Sequence, residues 1–213
     1  QPDGFNINEG VGAMHPEHLA AEVQARGADI GIALDGDADR LQMVDGAGRI
    51  YNGDELLYAI VRDRMGQHPV EGVVGTLMTN FGFEKQMQTL GVGFERAKVG
   101  DRYVIEAMIE RNLNLGGEQS GHLIFRDFTT TGDGIISALQ VLRIMKASGK
   151  PLSELKQCLK KYPQAQRNLK VKEKRPLEEL PDVMKLVGDA EKELSGKGRV
   201  LLRYSGTEPK IRL

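Results

Sequence analysis

Asp35, Asp37 and Asp39 alternate with small residues in Asp-Gly-Asp-Ala-Asp-Arg, directly after the apolar run Ile30 to Leu34. In an extended segment, side chains two apart share a face, and the C-terminal edge of a strand is where open α/β sheets hold their ligands. Three carboxylates brought together without a cation repel one another. Hard oxygen donors of this kind suit Mg²⁺, which usually takes one or two carboxylates with water and substrate phosphate, so three would make a protein-rich site. A calcium loop of the EF-hand type also opens Asp-x-Asp-x-Asp, but it needs glycine at its sixth place and glutamate at its twelfth. Those places hold Arg40 and Gly46, and a strand precedes instead of a helix, which excludes that reading. Arg40 suits a phosphoryl oxygen shared with the cation; its plainer use is to hold the loop by ion pairing.

Two further loops carry recognition chemistry. Gly116-Gly117-Glu118-Gln119-Ser120-Gly121-His122 sets a carboxylate, an amide, a hydroxyl and an imidazole between glycines. Glu118 can accept from two hydroxyls and Ser120 can donate and accept, an inventory that suits a sugar as well as it suits a polar strand-to-strand loop. Arg203-Tyr204-Ser205-Gly206-Thr207-Glu208-Pro209, followed by Arg212, puts two guanidiniums on strands flanking a Ser205-Gly206-Thr207 turn. Hydroxyls and successive N–H groups in such a turn form an anion-binding concavity that arginines can close in bidentate fashion, and an ordinary hairpin with two surface arginines has the same pattern. Lys98, at a strand-to-helix junction, can move a proton or hold a phosphate. Gly10-Val11-Gly12 lacks the third glycine of a dinucleotide fingerprint, no phosphate-binding P-loop occurs, and His15 with His18 has no third zinc ligand.

The elements that must position these loops follow from patterning. With 213 residues, 40% apolar and 28% charged, the chain has the material for packed cores, and 29 basic against 30 acidic residues leave no global field for nucleic acid or an anionic membrane. One cysteine, Cys158, cannot form an internal disulfide, and a reducing cytoplasm is expected. His15 is expected to cap a helix entered through Pro16 and closed by Gly27. Ile30 to Leu34, Leu41 to Asp45 and Arg49 to Tyr51 read as strands, the last two joined by the turn Gly46-Ala47-Gly48. From Asp54, helices (55–65, 83–90, 101–111) alternate with strands (73–78, 92–99), the pattern of crossover units on a parallel or mixed sheet. A long apolar-periodic helix ends at Gly149, and a basic stretch from Lys156 to Arg175 reads as a linker with an exposed strand. The last unit has a helix around 183–194 and strands over 199–203 and 210–213. The fold class is therefore α/β, mixed-sheet domains with helices on the faces, with a last unit of one helix and strands. The chain opens on Gln1 and stops in mid-strand, so it is expected to be part of a longer protein.

In this order the three loops resemble the signatures of the α-D-phosphohexomutase superfamily. Pro2-Asp3-Gly4-Phe5-Asn6-Ile7-Asn8, the run Lys98 to Val104 and Thr130-Thr131-Gly132-Asp133-Gly134 are similar to its bacterial aminosugar branch, and the likeness covers essentially the whole chain. Tyr204 departs from it, standing where related loops often carry proline or lysine. The resemblance implies a four-domain enzyme, with 1–52 ending the second domain, 53–152 forming the third, and 153–213 a linker and truncated fourth domain, a smaller α+β one. The phosphoserine loop of the family's first domain lies outside these residues, so the fragment alone is expected to be inactive. The implied reaction is conversion of glucosamine 6-phosphate to glucosamine 1-phosphate through a phosphoserine and a sugar bisphosphate, feeding cell-wall precursors. Mg²⁺ at Asp35, Asp37 and Asp39 is the implied cofactor. Arg40, Lys98 and His122 are the implied catalytic residues, and Glu118, Ser120, Arg203, Ser205, Gly206, Thr207 and Arg212 the substrate-binding ones. A homodimer of the full-length enzyme is a further expectation, with no nucleic-acid or membrane partner. Two other readings stand beside it: a phosphomannomutase/phosphoglucomutase acting on a neutral hexose, and a non-catalytic phosphosugar-binding module.

Overall fold

The structure is a computed structural model and describes residues 3–156, 159–206 and 208–213; Pro2, Cys158 and Thr207 of the motifs above lie outside the described residues. The chain divides into two compact units, Gln1–Lys160 and Lys161–Leu213.

In the first unit, α1 (Glu17–Arg26) leads through a left-handed Gly27 into β1 (Ile30–Leu34). His15 does not cap α1. Its N–H closes a short 3-10 turn on the Gly12 carbonyl, and Pro16, which offers no side-chain acceptor, occupies the cap position. β1 pairs antiparallel with β2 (Leu41–Asp45), and β2 with β3 (Ile50–Tyr51), as the hairpin reading requires. Next comes α2 (Gly53–Met65), started by a capping box in which the Asn52 side chain and Glu55 satisfy each other's backbone N–H groups.

The remaining elements are β4 (Gly72–Thr76), α3 (Phe81–Leu90), β5 (Gly93–Ala97), α4 (Asp101–Glu110), β6 (Leu115–Gly117), β7 (Leu123–Phe125), α5 (Gly134–Ser148) and α6 (Leu152–Leu155). They build a mixed sheet in the order β5-β4-β6-β7, parallel except for the β6–β7 pair. Alternation along the strands splits the core. Val73, Leu123 and Phe125 face a large cluster with α2, α3 and α5, while Val74 and Ile124 face a smaller one with Val104 and Met108 of α4. Leu41, Met43 and Tyr51 of the first sheet enter the same large cluster, which makes the two sheets one body. α6 immediately precedes the basic stretch that begins at Lys156. Four residues are too short to hold a helix alone, but Leu152, 2% exposed in that cluster, contributes about 1.5–3 kcal/mol by burial.

The second unit is an antiparallel sheet in the order β8-β10-β9, made of β8 (Asn168–Lys170), β9 (Arg203–Tyr204) and β10 (Lys210–Arg212), with α7 (Pro181–Leu194) between the first two in sequence. The expected strand over 199–203 forms only from Arg203, where the register with Arg212 begins.

A close backbone approach joins the first sheet to the β6–β7 loop. Leu41 N–H donates to the Gly121 carbonyl at 3.1 Å, and a Cβ at Gly121 (φ 101°) would stand 2.0 Å from the Leu41 carbonyl oxygen. Gly149 (φ 66°) has nothing within 4 Å of that position. In urea unfolding, Gly149→Ala is expected to cost about 1–2 kcal/mol from its left-handed backbone alone, and Gly121→Ala about 3 kcal/mol or more. Equal costs would show that the approach is not tight.

Candidate active site

The metal-type loop between β1 and β2 is a turn and not the extended segment expected. Ala38 N–H donates to the Asp35 carbonyl at 3.1 Å, and Ala38 itself is left-handed, with φ 59°. Strand alternation therefore does not bring the carboxylates together; the turn does, with ligand atoms of Asp35, Asp37 and Asp39 all within 4.8 Å of one another. Gly134 N–H holds the turn by donating to the Ala38 carbonyl at 2.9 Å, and a side chain there would strike Leu34, Ala38 and Arg40.

Burial, reinforced by repulsion from Asp35 and Asp37, pushes the Asp39 carboxyl up, against the attraction of His122 and Arg40. Its Oδ1 is buried without a hydrogen-bond donor. A buried, donor-less carboxylate oxygen facing two more carboxylates is what a hard cation would satisfy, so the residues fit Mg²⁺. The Arg40 N–H donates to Asp35 Oδ1 at 3.1 Å, while its Nε lies 3.5 Å from Asp35 and 3.8 Å from Asp39. Its ion-pairing use is thus realised, and the half-exposed guanidinium remains at the edge of the cluster.

The sugar-type loop connects β6 to β7 and is joined to the metal-type loop along its backbone. Arg40 and His122 form an antiparallel bridge, flanked by the Leu41 to Gly121 hydrogen bond. His122 Nδ1 lies 3.0 Å from Asp39 Oδ2, so it carries its proton there whenever Asp39 is ionised. The ring is almost wholly enclosed and packs so closely on Gly132 that a Cβ there would meet Nε2 at 2.3 Å. His122 thus stands behind Asp39 as its orienting partner. Glu118 Oε1 accepts the Gly100 N–H at 3.0 Å, which ties the loop to the Lys98-Val99-Gly100 junction. Lys98 is exposed, with its ammonium 5.6 Å from the Tyr103 ring centre. Ser120 is half-buried.

Patterning missed what supports these side chains. Gly53, at the start of α2, donates its N–H to the Gln119 carbonyl at 3.1 Å, and a Cβ there would stand 2.0 Å from the Glu118 oxygen. A glycine at a helix start is common enough to carry no signal by itself.

In the second unit, Arg203 and Arg212 stand directly opposite on β9 and β10. Burial, then the neighbouring Arg212 charge, lowers the Arg203 pKa. Like charges paired across strands destabilise a sheet unless an anion joins them. Arg212 Nη2 reaches Ser205 Oγ at 3.3 Å and Glu208 Oε2 at 3.1 Å, and the buried Ser205 Oγ also accepts the Glu208 N–H. Gly206 is exposed at the tip.

The family model described as phosphoglucomutase/phosphomannomutase, alpha/beta/alpha domain III, matches residues 52–162, and the model of the C-terminal domain matches residues 167–213. The chain belongs to the phosphoglucomutase/phosphomannomutase family. Phosphoglucosamine mutase of Bordetella pertussis is 62% identical over 212 residues, 100% of this chain and 47% of the relative. That of Janthinobacterium sp. is 54% identical over 213 residues, 100% and 48%. The chain spans about half the length of the curated relatives it matches. In fold it is similar to the crystal structure of Aspergillus fumigatus N-acetylphosphoglucosamine mutase in complex with GlcNAc-6P and magnesium, with a TM-score of 0.74 at 19% identity, over 95% of this chain and 48% of that one. In this phosphoglucomutase/phosphomannomutase member the third-domain match begins at residue 52, so the Arg40–His122 bridge joins a loop before that boundary to one within it.

Arg203→Gln in the complete protein removes a repelling charge. The unfolding midpoint is expected not to fall, while affinity for inorganic phosphate drops about tenfold, the loss of one charge-assisted contact. A phosphate titration identical to that of the unaltered protein removes Arg203 from the clamp.

Proposed function

We propose that these residues carry the metal, sugar and phosphate loops of an enzyme that interconverts glucosamine 6-phosphate and glucosamine 1-phosphate through a phosphoserine and a sugar bisphosphate. The observation that carries the reading is the backbone junction between Asp35–Arg40 and Glu118–His122, which fastens a cation-type cluster to a hydroxyl-reading loop. The 62% identity to phosphoglucosamine mutase of Bordetella pertussis supports the aminosugar over a neutral hexose. The third-domain match over residues 52–162 supports 1–52 as the end of the second domain and 53–152 as part of the third, and the C-terminal-domain match over 167–213 supports part of the fourth within 153–213. A homodimer, a cytoplasmic setting and partners limited to phosphosugars belong to the same reading.

Phosphoryl transfer is chiefly positioning and neutralisation of charge on the equatorial oxygens. Mg²⁺ held by Asp35, Asp37 and Asp39 supplies that neutralisation when bound. His122 fixes the Asp39 carboxylate through Nδ1, and Arg40 holds Asp35 while offering its guanidinium to a phosphoryl oxygen. Glu118, braced by the Gly100 N–H, accepts from sugar hydroxyls, and Ser120 donates or accepts as the sugar turns over. Lys98, half-steadied by the Tyr103 ring, is free to move a proton or hold phosphate. Arg203, Ser205, Gly206, Thr207 and Arg212 grip the phosphate that is not reacting.

Turnover of glucosamine, mannose and glucose phosphates by the complete protein tests the substrate, and a preference for a neutral hexose overturns it. Asp37, the exposed member of the cluster, is expected on replacement by Asn to weaken Mg²⁺ binding about tenfold or more in calorimetry without lowering the unfolding midpoint. An unchanged titration removes Asp37 from the site.

A further inference from the structure

Asp54 is the second residue of α2 and is 2% exposed. Burying a carboxylate is costly unless its oxygens are used, and at Asp54 they are used across elements. Oδ2 accepts the Asn80 N–H at 2.8 Å and the Gln119 Nε2 at 3.3 Å. Asn80 caps α3, its own Oδ1 accepting the Gly82 N–H. Gln119 is the second residue of a turn closed by the Gly121 N–H on the Glu118 carbonyl at 3.0 Å, and its carbonyl accepts from Gly53. The first turn of α2 therefore holds Gln119 at both its main-chain oxygen and its side-chain amide, with Glu118 and Ser120 on either side.

We propose that Asp54 is a positioning residue for the sugar, its buried carboxylate fastening the Glu118–Gly121 turn to the starts of α2 and α3 and so setting where Glu118 and Ser120 meet the substrate. The proposal rests on the reading of Glu118 and Ser120 as sugar-binding residues. The starts of two helices give the carboxylate a favourable field, and Arg96 on β5 adds to it, while Glu55 on its own helix opposes. Burial nevertheless outweighs these and pushes the Asp54 carboxyl up to about 6. The folded protein thus holds this proton more tightly than the unfolded chain, so ionised Asp54 lowers stability at neutral pH, and the deficit disappears as pH falls below both values. A carboxylate kept at such a cost but placed to hold a binding loop links stability and substrate affinity with opposite signs.

Asp54→Asn in the complete protein separates this from a merely structural role. At pH 7.5 the KM for glucosamine 6-phosphate is expected to rise about tenfold with kcat little changed, while the unfolding midpoint holds or rises. KM of the unaltered enzyme should climb more steeply as pH falls through about 6 than that of the variant, in which only the substrate phosphate titrates there. Hydrogen exchange needs no turnover and is expected to quicken about tenfold at the Gly53 and Gly121 amides of the variant. Unchanged exchange at those amides overturns the proposal whether or not the enzyme uses glucosamine 6-phosphate. An unchanged KM profile in an active enzyme also overturns it, as does a fallen midpoint with the acid limb intact. An unaltered protein inactive on glucosamine 6-phosphate would instead count against the proposed reaction.

Discussion

The three-aspartate cluster and the Glu118–Gly121 turn lie at the ends of different sheets, and they could act on one molecule only if held at fixed separation. The Arg40–His122 bridge with the Leu41 to Gly121 hydrogen bond does the holding. A net 0.5–1.5 kcal/mol or so per hydrogen bond would not by itself keep repelling carboxylates in place. The junction is braced one residue further along each strand, where Leu41 and Leu123, both fully buried, enter the same core. Glycine is required where the backbones come closest, since a methyl group at Gly121, Gly53 or Gly134 would meet main-chain oxygen.

The charges are arranged for ligands more than for the empty fold. Three aspartates converge, two arginines oppose each other on adjacent strands, and a buried carboxylate underlies the sugar loop. Each arrangement costs stability in isolation, and each places its group where an incoming ion or hydroxyl would relieve the cost. The surrounding structure is conventional by contrast, with capped helices, alternating strands and one shared apolar cluster.

Much of this was legible in the residues. β1 and β2 fell on the expected spans because apolar runs ended at clear turn signals, and the helices matched to within two or three residues because glycines and a capping box mark their ends. The site-bearing motifs were legible by type. What hid was conformation set by tertiary contact. Ala38 is left-handed in a turn pinned by Gly134, nearly a hundred residues on, so the three carboxylates come together by a geometry that alternation in sequence does not record. His15 has a capping side chain's composition but its backbone was taken by a 3-10 turn. The short helix after Pro151 exists because Leu152 finds the core, which local propensity does not record. Asp54 reads as an ordinary acidic residue in a first helical turn, and only burial reveals that it spans three elements.

The seam also sets how the gene can be recombined with those of its relatives. A crossover at residue 52, where the third-domain match starts, would put the two halves of the bridge in different parents and ask backbones inherited separately to reproduce an approach in which a Cβ at Gly121 would stand 2.0 Å from the Leu41 carbonyl oxygen. Residues 1–160 form the compact body in which both halves are inherited together, so that segment is the natural cassette for building hybrids within the family.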